Sequence, residues 1–524
     1  MEKPDISREI IEALTLHARG PDDVNRIKIA VCRKYGAPSV PRNSALLAAA
    51  APGEHAFLRR LLLVKPTRTL SGVAPVAVMT SPAPCPHGKC LPCPGGPDHL
   101  FQSPQSYTGE EPAALRAREH GYDPSAQVRA RLEQFELLGH PVDKVELIVM
   151  GGTMTSRPGD YQESFVRSCV QAMNEYRGGA GGKPCDTESV FRENEYSPVR
   201  CVAITFETRP DWCRKVHIDR MLALGVTKVE LGVQHLDDRV LSFNRRGCTV
   251  ADTVEATRLL RDAGIKVGYH VMPNLPGSDV ARDRWMFREL FDDPRFRPDF
   301  LKIYPTLVTP GSEIEVLWQR GEYAPYTEET LIDLVAEAKS LLPRYVRLQR
   351  IQRDIPAKLI VAGSRHSNFR QLCQQRLAEK GGQCQCIRCR EAGRREGGGE
   401  EEFSSFSYAA GGGTEHFLSI VSGDALVGFA RLRTGGDRWR EEVADAALLR
   451  ELHVYGSMVP LGSSPYPEQR QHRRFGKILI SAAEETAREE GYRKIAVMSG
   501  IGVRPYYRRH GYERRGPYMH KKLA

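Results

Sequence analysis

The sequence predicts an α/β protein in which a parallel β/α sheet, either a barrel or doubly wound, follows a short helical region and precedes a second α/β unit. Three observations carry that expectation. From about residue 73 to 354, short β-rich runs alternate with longer amphipathic stretches. Residues 1–70 show only helical spacing of apolar positions. Gly397-Gly398-Gly399-Glu400-Glu401-Glu402 reads as a linker before a final unit at 403–524. At 524 residues the chain is also too long for one ordinary core.

Taken in order, the helical region reads as Ile6–His17, Pro21–Tyr35 and a stretch near His55–Val64, with Gly20-Pro21-Asp22 as break and restart. The strand-like runs of residues 71–355 are Val145–Met150, Cys201–Phe206, Lys228–Val233, Lys266–Met272 and Phe300–Pro305. Helix-like segments Ser125–Leu138, Tyr161–Tyr176, Val216–Leu224, Val250–Ala263 and Arg282–Phe291 separate them. In such a frame, active groups are expected at the carboxyl ends of the strands. Residues 356–402 hold a cysteine cluster and the linker. The final unit shows strand-like Phe417–Val421, Leu426–Arg433, Leu448–Tyr455 and Lys494–Ser499, with one strong helix over Phe475–Glu490.

No apolar run approaches the ~18 residues of a membrane span. The N-terminus lacks a signal-peptide core, so a cytoplasmic protein is expected. Formal charge is +10, from 75 Lys+Arg against 65 Asp+Glu. The excess sits at the ends: 12 against 7 in residues 1–70 and 7 against 1 in 504–524. Basic ends suit a polyanion such as RNA or a CoA phosphate, although solvated basic faces give the same pattern.

The 13 cysteines, an odd number, argue against a disulfide framework. Six form two tight clusters. In the first, Cys85, Cys90 and Cys93 lie in the Pro/Gly-rich segment Cys85-Pro86-His87-Gly88-Lys89-Cys90-Leu91-Pro92-Cys93, which stays irregular and lets three sulfurs converge. Structural zinc favours four ligands, whereas a 4Fe–4S cluster held by three cysteines leaves one iron open. Zinc completed by His87 or by a distant group is the alternative. The first strand then ends in Met150-Gly151-Gly152-Thr153, and glycines at a strand end let backbone approach a ligand. A plain turn would use the same pair.

These features resemble the radical S-adenosylmethionine (SAM) enzymes. The runs 85–98, 105–112 (Gln-Ser-Tyr-Thr-Gly-Glu-Glu-Pro), 206–213, 230–234, 272–277 and 301–306 are similar to the catalytic subunits of Elongator complexes, in order and over essentially the whole chain. The resemblance implies a partial TIM-like β/α radical SAM barrel followed by a GNAT-type acetyl-CoA-binding domain. It implies that Gly151, Gly152, Thr153, Glu207, Gln234 and His270 contact SAM at the strand ends. Read as residues alone, Glu207 could pair with Arg209, and His270 could be a core histidine. Lys302 alternates with apolar neighbours, so it points either into the barrel mouth as a catalytic group or into a structural ion pair.

The second cluster, Cys384, Cys386 and Cys389, has compact spacing outside the β/α frame and is expected to hold structural zinc, as the resembling family does. His366, Cys373 and Asp354 are the candidate fourth ligands, and free loop thiols are the alternative.

In the last unit, Gln471-His472-Arg473-Arg474-Phe475-Gly476-Lys477 runs into the strong helix. A loop of this kind at a helix N-terminus offers backbone N–H groups to a pyrophosphate. It resembles the acetyl-CoA loop of GNAT acetyltransferases, with Arg474 where a glycine is usual. Tyr506 and Tyr507 follow the next strand and carry over the family's position near the thioester, with only one of the two expected to be catalytic.

The resemblance thus implies an acetyl-CoA-dependent enzyme forming 5-carboxymethyl-type uridine at the tRNA wobble position. SAM would be cleaved reductively on the cluster and the anticodon arm held by the basic N-terminal helices. The electron donor is left unspecified and a homodimer left open. Two other functions compete: a protein lysine acetyltransferase with a structural iron–sulfur domain, and a non-catalytic tRNA-binding scaffold.

Overall fold

The computed structural model describes residues 5–51, 53–64, 68–178, 186–395, 398–456 and 475–523. Seven strands form one sheet in sequence order: β1 (Ala74–Met79), β2 (Lys144–Met150), β3 (Arg200–Thr208), β4 (Lys228–Gln234), β5 (Lys266–Val271), β6 (Phe300–Ile303) and β7 (Arg347–Ile351). All six pairings are parallel, and β1 and β7 stay unpaired to each other, so the sheet is an open barrel. Helices fill each crossover, among them Pro124–Leu137, Gly159–Glu175, Val250–Asp262 and Val280–Asp292. Their starts are fixed locally. Asp279 accepts from Arg282 N at 2.9 Å, and Thr249 and Asp252 form a reciprocal capping box.

The pleat decides what lies inside. On β2, Val145, Leu147 and Val149 are buried against the helices, while Lys144, Glu146, Ile148 and Met150 face the barrel interior and are only half-buried. Lys228 and Glu230 on β4, Lys266 and His270 on β5, Lys302 on β6 and Arg347 and Gln349 on β7 line the same interior. The barrel therefore draws its apolar core from its outer face, and its interior is charged.

The N-terminal helices Ile6–His17, Pro21–Lys34 and His55–Leu62 match the helical spacing, and Asn43–Ala49 adds a short fourth. Together they enclose a separate small core of Ile10, Leu14, Ile27, Leu46, Leu58 and Leu62. After β7 come helices Phe369–Glu379 and Ile387–Arg390.

The second sheet comprises β8 (Glu401–Ala410), β9 (Gly413–Ser422), β10 (Ala425–Gly435), β11 (Ala447–Val454), β12 (Lys494–Val497), β13 (Glu513–Arg515) and β14 (Tyr518–Lys522), in the order β13-β14-β12-β11-β10-β9-β8. Glu401 and Glu402, expected in the linker, open β8 instead, because β9 pairs with them through Ser422 and Val421. Helix Phe475–Glu489 packs Leu479, Ile480, Ala483 and Ala487 on this sheet. β11 and β12 run parallel only over Ala447–Leu449 with Ile495–Val497 and leave a cleft beyond.

This sheet closes the amino end of the barrel. Arg450 donates to Asp299, just before β6, at 2.7 and 3.0 Å, to the Ile265 carbonyl, just before β5, at 3.0 Å, and to Glu415 at 2.9 and 3.0 Å. Arg433 donates to Asp262 at 2.6 Å, and Arg347 donates to the Tyr455 hydroxyl at 2.9 Å. Arg261, Arg431, Arg433 and Arg450 are all fully buried here, an arrangement tolerable only because carboxylates face them. No helix of the described residues is long and apolar enough to cross a membrane.

Candidate active site

One cavity of about 2150 Å³ runs from the loop of Cys85, Cys90 and Cys93 through the charged barrel interior to the β11/β12 cleft. At its upper end the three cysteines are part-exposed to the cavity. His87 Nε2 lies 3.0 Å from the Cys90 sulfur, Arg246 donates to it at 3.4 Å, and Gln105 Nε2 donates to the Cys93 sulfur at 2.9 Å. The three sulfurs are not drawn together within 4.8 Å, whereas those of Cys384, Cys386 and Cys389 are. A single tetrahedral ion with Zn–S bonds of about 2.3 Å places its sulfurs about 3.8 Å apart. The wider triad thus suits a multi-iron cluster, and the compact one a single ion. Burial pushes the Cys85 thiol up to about 11, with the Thr153 hydroxyl 3.7 Å away opposing it, so its thiolate needs a cation close by.

Beside this loop lie the groups expected to meet SAM. Gly151 and Gly152 have φ of 121° and 94°. A Cβ on Gly151 would come 2.2 Å from Thr80 Oγ1, so this glycine serves the packing of β2 on the end of β1, while Gly152 and Thr153 line the cavity. Gln234 ends β4 with φ of 69°, a left-handed conformation that costs a residue with a side chain roughly 1–2 kcal/mol. Its buried Oε1 has no hydrogen-bond partner among the described residues. An unmet acceptor on a strained residue in a cavity fits a ligand that donates N–H groups, as the SAM amino group does.

Glu207 does not pair with Arg209, which donates instead to Asp211 at 2.8 and 2.9 Å. Glu207 accepts from the Tyr107 hydroxyl at 2.5 Å and faces Lys302 Nζ at 3.7 Å. Lys302 also donates to Glu230, and His270 Nε2 lies 3.0 Å from the same carboxylate. Glu230 faces Lys228 at 3.6 Å, and Lys228 in turn donates to Glu146 at 2.5 Å. Burial alone would raise the Glu230 carboxyl, but Lys302, Lys228 and the His270 hydrogen bond outweigh it and hold it well below the usual carboxylate range. Burial likewise opposes the charge on Lys302, yet Glu230, with Tyr304 and Glu207, holds its ammonium above the usual lysine range. Burial and then Lys302 lower His270, leaving its imidazole neutral. Both readings of Lys302 therefore meet at one place: it is ion-paired, and it lines the cavity.

At the lower end, Gln471, His472, Arg473 and Arg474 lie outside the described residues, while Phe475, Gly476 and Lys477 line the cavity at the helix start. The Tyr506 hydroxyl points at that start, so closely that a Cβ on Gly476 would lie 2.5 Å from it. Tyr507 packs into the apolar cluster with Tyr512 and is buried. Burial raises both phenols, so each keeps its proton at neutral pH.

Cys384 and Cys386 are buried and Cys389 is partly exposed, near the start of β7, where Ile387 N donates to Val346 O at 2.9 Å. None of the expected fourth ligands joins them. His366 pairs with Glu328 at 2.9 Å, Asp354 pairs with Arg350 at 2.6 Å, and Cys373 is not drawn within 4.8 Å of the three.

Residues the sequence did not single out are prominent here: Tyr107, Glu146, Lys228, Glu230 and Arg246. Two carried a visible signal, since Lys228 and Glu230 alternate with valine and leucine in an otherwise apolar strand.

An open barrel with a three-cysteine loop at its mouth, closed below by a cleft-bearing mixed sheet, defines a radical SAM enzyme joined to an acetyltransferase domain. Models of the Radical SAM superfamily and of the Radical SAM C-terminal domain match residues 83–284 and 298–379, and the Acetyltransferase (GNAT) family model matches 388–512. The ELP3 N-terminal domain model matches 4–70. The chain is 48% identical over 495 residues to the tRNA uridine(34) acetyltransferase of Methanocaldococcus jannaschii, covering 92% of this chain and 90% of that protein. It is 43% identical over 536 residues to human Elongator complex protein 3, covering 99% and 96%. The solved structure of archaeal Methanocaldococcus infernus Elp3 with an N-terminal deletion superposes with a TM-score of 0.76 at 42% identity, covering 86% of this chain and 99% of that one. The chain belongs to the Elongator complex protein 3 family.

Proposed function

We propose that the protein modifies the wobble uridine of tRNA, forming 5-carboxymethyluridine from acetyl-CoA by radical SAM chemistry. The observation that carries this reading is the single cavity joining the cysteine loop to the Tyr506 end: both halves open onto one space. The names of the relatives support tRNA uridine 34 as the substrate.

Cys85, Cys90 and Cys93 would hold the 4Fe–4S cluster, and Gly152, Thr153, Glu207, Gln234 and His270 would hold SAM, with Gly151 shaping the turn. Together these two groups supply hydrogen-atom abstraction at an unactivated methyl group. Backbone N–H groups of Phe475, Gly476 and Lys477, with the loop from Gln471 to Arg474, would take the CoA diphosphate at the helix N-terminus. Tyr506, protonated and cavity-facing, donates a proton to the departing thiolate when water attacks the thioester carbonyl and leaves the carboxylate. Tyr507 supports it from the core. Lys302, kept charged by Glu230 and Glu207, orients the acyl carbonyl or the carboxylate it becomes; the methyl carbon would give up one hydrogen atom and bond uridine C5, and C5 would release its proton and one electron, the electron being taken back by the cluster. Arg116, Arg131, Arg200, Arg350 and Arg353 line the cavity and would meet the phosphates of an anticodon loop. Cys384, Cys386 and Cys389 would hold zinc as a scaffold.

The test is anaerobic reconstitution with dithionite, SAM, acetyl-CoA and tRNA, measuring 5′-deoxyadenosine and digested nucleosides. Both products, absent in Cys90→Ser, are expected. Acetylated peptide without SAM consumption would instead favour a lysine acetyltransferase, and tRNA binding without any turnover a scaffold.

A further inference from the structure

The segment Gln105-Ser106-Tyr107-Thr108-Gly109-Glu110-Glu111-Pro112 stands out in the sequence, yet the reaction above gives it no task. Its first residue reaches into the cysteine loop. Buried Gln105 donates through Nε2 to the Cys93 sulfur at 2.9 Å and to the Gly95 carbonyl at 3.0 Å. Its side chain is held on two sides by glycines. A Cβ on Gly96 would lie 2.7 Å from Gln105 Oε1, and one on Gly152 would lie 3.2 Å from Gln105 Cβ. The backbone around it is pinned as well. Ser106 has φ of 72°, Arg353 donates to its carbonyl, and the Tyr107 hydroxyl donates to Glu207 at 2.5 Å. Across the loop, Arg246 donates to the Cys90 sulfur at 3.4 Å while its other nitrogen is anchored on the Gly232 carbonyl at 2.6 Å. Among the described residues, the hydrogen bond found at the Cys85 sulfur is with the Thr153 hydroxyl, at 3.7 Å.

We propose that Gln105 is a positioning residue of the iron–sulfur cluster that also sets its reduction potential, with Arg246 acting in the same sense through Cys90. A donor aimed at a ligating sulfur stabilises the electron added on reduction, so it raises the potential. The three sulfurs are thereby made unequal: Cys93 faces an amide, Cys90 a guanidinium and the His87 imidazole at 3.0 Å, and Cys85 a hydroxyl. The proposal rests on the reading that Cys85, Cys90 and Cys93 hold the cluster, and it is independent of which nucleoside is made.

The experiment uses the full chain, reconstituted anaerobically, with iron content and an EPR-monitored reductive titration as readouts. Gln105→Met keeps the length and removes the N–H group. It is expected to load iron fully and to shift the midpoint negative by about 59 mV, a tenfold smaller reduced-to-oxidised ratio at the wild-type midpoint. Gln105→His keeps an N–H donor at similar reach and is expected to restore the midpoint. Full iron with an unmoved midpoint in Gln105→Met overturns the proposal, as does a loaded Gln105→His protein at the Met variant's potential. If Gln105→Met folds without iron, recovery of iron and midpoint in Gln105→His supports the proposal, and no recovery overturns it. A shifted midpoint in a chain that makes no modified uridine retains this inference and removes the proposed product.

Discussion

The two ends of the barrel each carry three cysteines and are built to opposite rules. At the carboxyl end, Cys85, Cys90 and Cys93 sit in an irregular loop, part-exposed to the cavity, beside a strained Gln234 with an unmet acceptor. At the amino end, Cys384, Cys386 and Cys389 are packed within 4.8 Å of one another beside the start of β7, where Ile387 N donates to Val346 O. The contrast teaches that the same ligand type reads as chemistry or as scaffold according to what surrounds it. The first triad opens onto the cavity, and the second does not line it.

The sharpest way to break the comparison is to exchange its two thiols in turn. Cys90→Ser is expected to reduce 5′-deoxyadenosine formation by roughly 1000-fold or more while moving the melting temperature little, because its loop supports no core. Cys386→Ser should do the reverse, losing bound zinc and thermal stability while the folded fraction still cleaves SAM. Equal activity loss in both variants would erase the distinction.

Asp299→Asn probes the closed end directly. It removes the carboxylate facing Arg450, Arg261 and Arg431 at 2.7, 3.6 and 3.5 Å. Glu415 still faces Arg450 and Arg261, and Glu451 still faces Arg431, so the loss is expected at the lower end of the roughly 3–5 kcal/mol for breaking a buried ion pair. A large drop in melting temperature is expected, and an unchanged melt would show that the arginines do not depend on it.

Tyr506→Phe should lower thermally corrected acetyl-CoA hydrolysis by roughly 10- to 100-fold, as expected for loss of a proton donor. Tyr507→Phe keeps its ring in the apolar cluster and should change the rate by less than about 3-fold. Equal effects would mean that the hydroxyl at the helix start is not the one used.

The smallest effect is a pH dependence. Glu188 on helix Thr187–Asn194 pairs with Arg514 of β13 at 2.8 Å, and that hydrogen bond lowers its carboxyl from 4.5 to about 2. A depressed carboxyl contributes stability above its unfolded value and loses it as pH falls from 4.5 towards about 2. Glu188→Gln should therefore flatten the fall in melting temperature over that window, without affecting the melt at pH 7 as strongly as Asp299→Asn.

Much of the frame was legible because apolar alternation is strong where one face is buried. β2 to β6 fall within a few residues of their apolar runs, and so does helix Phe475–Glu489. β7 was not legible, since Arg347-Leu348-Gln349-Arg350-Ile351 points charged groups into the barrel and reads as loop. β8 was masked by the glutamates that open it, which are exposed at a sheet edge. β1 was missed because Pro75 interrupts its six-residue apolar run, although Ser71-Gly72 and Ser81-Pro82 bound it. At the site, the cysteine clusters stood out by their spacing, while the paired glycines, which a plain turn would also use, drew meaning from the three-cysteine loop and the resemblance. Glu230, Tyr107 and Arg246 were not legible, because their partners lie on other strands and loops and only folding brings them together. The separation of Tyr506 from Tyr507 likewise needed the sheet, since adjacent residues differ only in which way they face.

The hollow, charged barrel has a pharmacological consequence. An enzyme whose two cofactor-binding halves share one lumen cannot be half-inhibited by an occupant of that lumen. A zwitterionic plug matched to Lys228, Glu230 and Lys302 would shut the passage between them, whichever end it entered from.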